Sequence, residues 1–295
     1  MARRLVISGA SGLIGTALVA SARADGVDVT RLVRRPPTTA DEVQWHPGER
    51  QLDPTVLEGA DAVVSLGGAS VGRLPWTRGY RRTLVESRIV TTRTIATAVR
   101  TLGADAPAFV SASAVGYYGS APGETLTEAA PAGDTFLARL CVRWEDEALR
   151  AGDHARVALL RTAPVVHRQG VLKPLIQLAR FGLAGPIGSG TQVWPWISLD
   201  DEVRAIRHVI DHRLDGPVNL TGPAPATASD LGRAVAARLG RPFWLPAPAW
   251  ALRLALGDAA RSLLLPDADV RPDVLRDTGF TFTHATVQQA VDAAL

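Results

Sequence analysis

The chain has 295 residues, 46% of them hydrophobic and 21% charged, with 27 Gly and 20 Pro, a composition ample for one large core or two unequal ones. The formal net charge is only +3 and nearly every cation is an arginine, Lys173 being the one lysine. No basic run exceeds two residues and none is interleaved with aromatics, which speaks against a nucleic-acid partner. A single cysteine, Cys141, excludes an internal disulfide and cannot build a zinc site alone, so a cytoplasmic setting is expected.

The start, MARRLVISGASGLIGTALVASARA, has the basic, apolar and small-residue order of a secretory leader, but glycines interrupt its apolar part at a spacing with a different meaning. No stretch reaches the ~18 apolar residues of a membrane span, and no membrane partner is expected. In chain order, RLVISG (4–9) reads as a buried strand, followed by a helix from about Leu13 with Ala17, Leu18 and Ser21 on one face. VDVTRLV (27–33), VQW (43–45) and DAVVSLGG (61–68) read as strands, and a long helix covers 77–102 with Leu84, Ser87, Ile89 and Thr91 along it. AFVSAS (108–113) is a strand, 134–151 a helix and RVALLRTAPVV (156–166) a strand. Strands alternating with helices predict an α/β fold, a doubly wound parallel sheet of Rossmann-like type.

Beyond 166 the pattern changes to a glycine-rich loop (182–190), the aromatic patch WPWIS (194–198), a helix over 200–212, a strand over 216–222 and then proline-punctuated helices. This predicts a dinucleotide-binding domain over 1–166, with 191–222 returning to its sheet. A smaller C-terminal substrate lobe is built from 167–190 and 223–295.

GASGLIG places glycines at 9, 12 and 15 directly between a strand and a helix. The first allows the tight turn, the second lets backbone approach a pyrophosphate, and the third lets helix pack on strand. Phosphate then meets free N–H groups at the positive end of the helix, with Ser11, Leu13 and Ile14 completing the loop. At the end of the second strand an NAD site would carry a carboxylate; here Val33 is followed by Arg34 and Arg35, whose forks suit the 2′-phosphate of NADP. The expected cofactor is NADP (NADPH).

Several stretches in sequence order carry a family resemblance: GASGLIG, VVSLGGASV, WTRGYRRTLVESRIVTTR, SASAVGYYG, LCVRWE, GLAGPIGSG, WPWISLDD, GPVNLTGPAP and LPDADVRPDVLRDTGFTF. With them the chain resembles the extended short-chain dehydrogenase/reductase superfamily, the group of nucleotide-sugar epimerases and dehydratases. Within it the chain is similar to the "epimerase family protein" branch, sometimes labelled a cell-division inhibitor homologue. The resemblance implies cofactor contacts at Gly9, Gly12, Gly15 and Arg34 and at Leu66, Gly67 and Gly68, with Ser113 facing the nicotinamide. It also implies a homodimer through the helices at 77–102 and 134–151. Ser198 stands where that branch usually has a histidine.

The superfamily's Tyr-x-x-x-Lys dyad is missing: the residues four beyond Tyr80, Tyr117 and Tyr118 are Leu84, Ala121 and Pro122, and Lys173 has Gln169 four residues before it. In the helix that would carry the dyad, Phe136, Leu137, Leu140 and Cys141 hold the available positions. The remaining catalytic candidates are Ser113, with Tyr118, or alternatively Tyr117, as proton donor, and Arg139, Arg143 or Arg161 as a substitute cation. The reading is an NADP(H)-binding oxidoreductase or epimerase-like protein for a small carbonyl or hydroxyl substrate. Its alternative is a catalytically silent NADP(H)-binding sensor or partner protein. No metal is assigned, because His208 and His212 lack a completing ligand cluster. Trp194 and Trp196 read equally as pocket wall or interface packing, Glu145 and Glu147 as surface charge, and Asp200 and Asp201 as helix-capping residues.

Overall fold

The computed structural model describes residues 3–295. Seven strands form one sheet: β1 (Arg4–Ser8), β2 (Asp28–Val33), β3 (Glu42–Gln44), β4 (Ala62–Ser65), β5 (Ala108–Ala114), β7 (Val157–Thr162) and β10 (Gly216–Leu220). Their spatial order is β3-β2-β1-β4-β5-β7-β10 and every neighbouring pair is parallel. Because β1 has β2 on one side and β4 on the other, the strand order reverses there and a crevice opens between β1 and β4 at the carboxyl ends of the strands.

The two faces of the sheet follow from the period of two along each strand. Leu5, Ile7, Val64, Val110 and Leu160 point to a face covered by α1 (Leu13–Ala24) and α5 (Leu199–Asp211). Val6, Val63, Phe109, Val157 and Leu159 point to the opposite face, covered by α2 (Arg78–Thr101) and α3 (Phe136–Leu149). Burial on both faces explains the unbroken apolar runs in the sequence. In α1 the residues turned to the sheet are Gly15, Leu18, Val19 and Ala22, whereas Ala17 and Ser21 lie at the edge of that stripe. Along α2, Ser87 is likewise at the margin, its hydroxyl accepting from the amide of Ala69 at 3.0 Å.

The strand expected over 156–166 breaks after Thr162, and Val165–Val166 (β8) pairs instead with Ile197–Ser198 (β9) in a separate two-stranded sheet. Pro164 lies at this break, where a missing N–H cannot serve a ladder. The lobe that follows has its own core. Leu172 and Ile176 of α4 (Leu172–Arg180), Leu231 and Val235 of α6 (Ala228–Arg238) and Val287 and Val291 of α9 (Val287–Ala294) enclose Trp194 and Trp196. Lobe and sheet are tied by β11 (Asp269–Val270), which pairs with β6 (Thr125–Leu126), and by α8 (Asp273–Asp277) against β10. The helix α7 (Ala249–Leu256) has no buried residue, yet Leu256 just at its end packs on Trp76, Leu84 and Leu137 across the cleft. Among the described residues no helix is long and apolar enough to cross a membrane.

Candidate active site

The glycine loop sits at the crevice between β1 and β4. Gly9 has φ of +76°, and a Cβ there would come within 2.7 Å of the Leu66 carbonyl carbon; on Gly15 a Cβ would come within 2.3 Å of the Gly9 carbonyl oxygen. Side chains are therefore excluded at both positions, one by the neighbouring strand end and one by the turn beneath the helix. Gly12 donates to the Gly9 carbonyl at 3.0 Å and then caps α1 without any side chain over the helix end. Ser11 and Gly12 are exposed, and Leu13 and Ile14 half-buried. The first amides of α1 thus face a bare backbone cradle, the shape and polarity a pyrophosphate requires. Leu66, Gly67 and Gly68 form the opposite lip, after β4.

The two arginines after β2 part company. Arg35 donates through both terminal nitrogens to Glu42, at 2.8 and 2.7 Å, and this bidentate pair holds the Glu42 carboxyl down at about 2. Its fork is occupied. Arg34 is exposed and makes no ion pair or side-chain hydrogen bond among the described residues. With Val33 in place of a carboxylate, the β2 end offers one uncommitted guanidinium and no acid to meet a ribose.

At the carboxyl end of β5 the register sets the site. Ser113 of β5 lies directly opposite Arg161 of β7, and both side chains point to the α3 face, in phase with Phe109 and Leu159. Glu145 of α3 spans the pair: the Ser113 hydroxyl donates to its Oε1 at 2.6 Å, while Arg161 donates Nε to Oε1 and Nη2 to Oε2, each at 2.9 Å. Arg161 Nη1 donates to the Tyr118 hydroxyl at 2.9 Å and to the Glu128 carbonyl at 3.1 Å. The Tyr118 hydroxyl in turn donates to Asn219 Oδ1 at 2.7 Å, and Asn219 Nδ2 donates to the Arg271 carbonyl at 2.8 Å. Glu128 Oε1 accepts from the amides of Asn219 and Val274, and burial raises its carboxyl above the usual range. Ser113, Tyr118, Glu145, Arg161 and Asn219 are all buried.

Arg161 is thus the cation beside the tyrosines, whereas Arg139 donates to the Asp134 carbonyl at the start of α3. Burial works against the Arg161 charge, but Glu145 and the Tyr118 oxygen outweigh it and its pKa rises. Tyr118 is pushed up to about 12 because its burial outweighs the pull of Arg161 and of Asn219. Its hydroxyl is consumed by two partners. Tyr117 is only half-buried, its ring lies under the Arg161 guanidinium at 3.5 Å, and its hydroxyl makes no hydrogen bond among the described residues. Of the two tyrosines, Tyr117 is the one with a proton to offer. Leu137 and Cys141, four apart on α3, fill the ground next to this strand end. Leu137 packs at 3.3 Å from where a Cβ on Gly116 would be, and the Cys141 thiol lies beside Ser113 and Ala114.

Several expectations need correction. Glu145 and Glu147 are not surface charges: both are buried, Glu145 on Arg161 and Glu147 on Arg93 with hydrogen bonds of 2.9 and 2.6 Å. Two residues apart on a helix is a rotation of about 200°, so both can be buried only because α3 is covered by the sheet on one side and by α2 on the other. Trp194 and Trp196 are lobe core, and Trp196 Nε1 donates to the Ala224 carbonyl at 3.0 Å. The cap of α5 is Ser198, and Asp201 is a buried acceptor for Ser198, Thr283 and His284. His284 Nδ1 also lies 3.0 Å from the Ser198 hydroxyl. Asp200, Asp201 and His284 are close enough to share an ion, but the Asp201 oxygens are already filled by these donors. His208 and His212 stack at 3.8 Å, with His208 Nε2 2.9 Å from the Thr278 hydroxyl.

The sequence reading missed Glu145, Glu128 and Asn219, and named Arg161 without placing it. The signal for Arg161 was present: a charge inside VALLRTA, a strand buried on both faces, demands a partner.

Comparison with known proteins identifies the family of this fold. The NAD dependent epimerase/dehydratase family model matches residues 5–220, and a domain of unknown function (DUF1731) matches 247–294. An epimerase family protein of Mycobacterium leprae is 41% identical over 98% of this chain and 95% of its own length. The crystal structure of the human epimerase family protein SDR39U1 (isoform 2) with NADPH superimposes with a TM-score of 0.88 at 28% identity, covering 99% of this chain and 98% of that one. A nucleoside-diphosphate sugar epimerase from Corynebacterium glutamicum gives a TM-score of 0.81 at 30% identity, over all of this chain and 58% of that one. With a match from the first strand to the last strand of the sheet, the chain belongs to the NAD dependent epimerase/dehydratase family.

Proposed function

We propose that this protein binds NADP(H) across the β1–β4 crevice and uses it in oxidoreductase or epimerase-like chemistry on a small carbonyl or hydroxyl substrate. One observation carries the cofactor choice: Arg34 stands uncommitted at the β2 end with no carboxylate beside it, next to a glycine cradle that side chains would fill. Gly9, Ser11, Gly12, Leu13, Ile14 and Gly15 would hold the pyrophosphate, Leu66, Gly67 and Gly68 the opposite side, and Arg34 the 2′-phosphate. When bound, NADP(H) supplies or accepts a hydride.

The residues around that step have defined roles. The Ser113 proton is spent on Glu145, so its oxygen is presented as an acceptor and orients a substrate hydroxyl. Tyr117 gives or takes the proton, its ring held under the Arg161 guanidinium at 3.5 Å. Tyr118 holds Arg161 and Asn219 in place. A second reading, a catalytically silent NADP(H) binder, is favoured by Leu137 and Cys141, which put an alkyl group and a buried thiol on the helix face next to Ser113.

The test is a panel of alcohols and carbonyl compounds with NADP+ or NADPH, followed by absorbance, on wild type, Ser113→Ala and Tyr117→Phe. Turnover in wild type that falls on the order of 10²-fold in both variants, at unchanged NADPH affinity, supports the catalytic reading. Tight NADPH binding without turnover on any compound supports the silent binder.

A further inference from the structure

Arg88 lies on α2 and differs from its helix neighbours. Arg81 is paired with Asp258, Arg82 with Glu86 and Arg93 with Glu147. Arg88 has no carboxylate within ion-pair distance among the described residues, although it is half-buried. Its guanidinium stacks over the Trp144 ring at 5.1 Å, and Nη1 donates to the Leu84 carbonyl at 3.1 Å. Trp144 is itself pinned by a 2.8 Å hydrogen bond to Thr92, so the platform under the guanidinium is fixed. The group also lies against the loop after β4: a Cβ on Gly68 would sit 3.1 Å from Arg88 Cζ.

Among the described residues no anionic group faces Arg88. The Cys141 thiol facing it is pushed up to about 12 by burial and stays neutral. The phenol of Tyr80 also faces it, and its hydroxyl is spent on the Ser70 carbonyl at 2.6 Å. Burial lowers the Arg88 pKa, the mark of a desolvated cation that its surroundings do not repay. A guanidinium has five N–H donors, and here one is committed.

We propose that Arg88 is an anion-binding side chain of the cleft, holding a phosphate or carboxylate oxygen between the Gly67–Gly68 loop and the Ser113–Cys141 corner. The anion belongs either to the cofactor or to the substrate. The first source rests on the NADP(H) reading above; the second does not need it.

The experiment compares wild type with Arg88→Gln and Arg88→Lys by NADPH titration and by thermal unfolding with inorganic phosphate or oxalate, each with and without NADPH. If the anion is the cofactor's, Arg88→Gln raises the NADPH Kd roughly 10- to 100-fold and Arg88→Lys recovers part of it. If it is the substrate's, NADPH affinity is unchanged, and phosphate or oxalate raises the Tm of the wild-type complex but not of the Arg88→Gln complex. Arg88→Gln without ligand unfolds at about the wild-type Tm, since the desolvated charge it removes offsets the lost Leu84 hydrogen bond and Trp144 stacking. Equal NADPH affinity together with equal anion protection in wild type and Arg88→Gln overturns the proposal. A wild type that binds no NADPH sinks the cofactor reading alone, because phosphate and oxalate protection still decides the role of Arg88.

Discussion

Arg161 and Arg34 both stand at the carboxyl ends of sheet strands, and the molecule treats them in opposite ways. Arg161 is buried, and its nitrogens are shared among Glu145, Tyr118 and the Glu128 carbonyl. Arg34, four strands away in the sheet, is exposed and uncommitted. A saturated buried cation fixes geometry, and an unpaired exposed one is available to a ligand. The region around β5, β7 and α3 is therefore preorganised framework, with the half-buried Tyr117 at its margin, whereas the β1–β2 rim carries a guanidinium that no side chain among the described residues engages.

The sharpest way to break this contrast is to remove the buried cation. Arg161→Met leaves the Glu145 carboxylate buried without its partner and is expected to cost about 3–5 kcal/mol in chemical denaturation. The double variant Arg161→Met, Glu145→Leu should regain most of that loss, since neither charge then remains. If Arg161→Met alone is neutral, the network is not the framework described here.

Glu202 sharpens the comparison from the other face of the sheet. Its Oε1 accepts from the Thr162 hydroxyl at 2.9 Å, its Oε2 has no partner, and burial raises its pKa to about 8. Between ~4.3, the value in an unfolded chain, and about 8 the native state keeps a proton that the unfolded state has lost. The stabilisation is complete below that window and falls as pH rises through it, by at most about 1.4 kcal/mol per pH unit. Glu202→Gln should flatten this decline in denaturation curves taken at pH 5, 6, 7 and 8. An unchanged slope would show that the carboxyl is ionised in the folded protein.

A smaller effect separates the two tyrosines. Tyr118→Phe strands one Arg161 donor and the Asn219 carbonyl, and should cost about 1–3 kcal/mol of stability without weakening NADPH binding. Tyr117→Phe removes a hydroxyl with no partner and should leave the unfolding midpoint within about 0.5 kcal/mol of wild type.

What the sequence made legible is the local part of this account. Alternating buried strands and amphipathic helices predicted the sheet, and the spacing of Gly9, Gly12 and Gly15 predicted a cradle whose first and third glycines are sterically required. Helix ends at Thr101 and Leu149 fell within two residues of expectation. The pairing of Ser113 with Glu145 and Arg161 was hidden because it depends on strand register and on which side of α3 meets the sheet, neither of which is written locally. Glu145 and Glu147 read as solvated for the same reason: they flank the exposed stripe of Arg139, Arg143, Asp146 and Arg150, and only the sheet on one side and α2 on the other bury them. Arg35 read as equivalent to Arg34 because the partner that occupies it, Glu42, is on the next strand.

The most direct test of the central claim is titration of wild type and Arg34→Ala with NADPH and with NADH, followed by fluorescence. Wild type should prefer NADPH, and Arg34→Ala should weaken NADPH roughly 10- to 100-fold while leaving NADH unchanged. Equal affinity of wild type for the two cofactors, or an NADPH affinity indifferent to the loss of Arg34, would contradict the account.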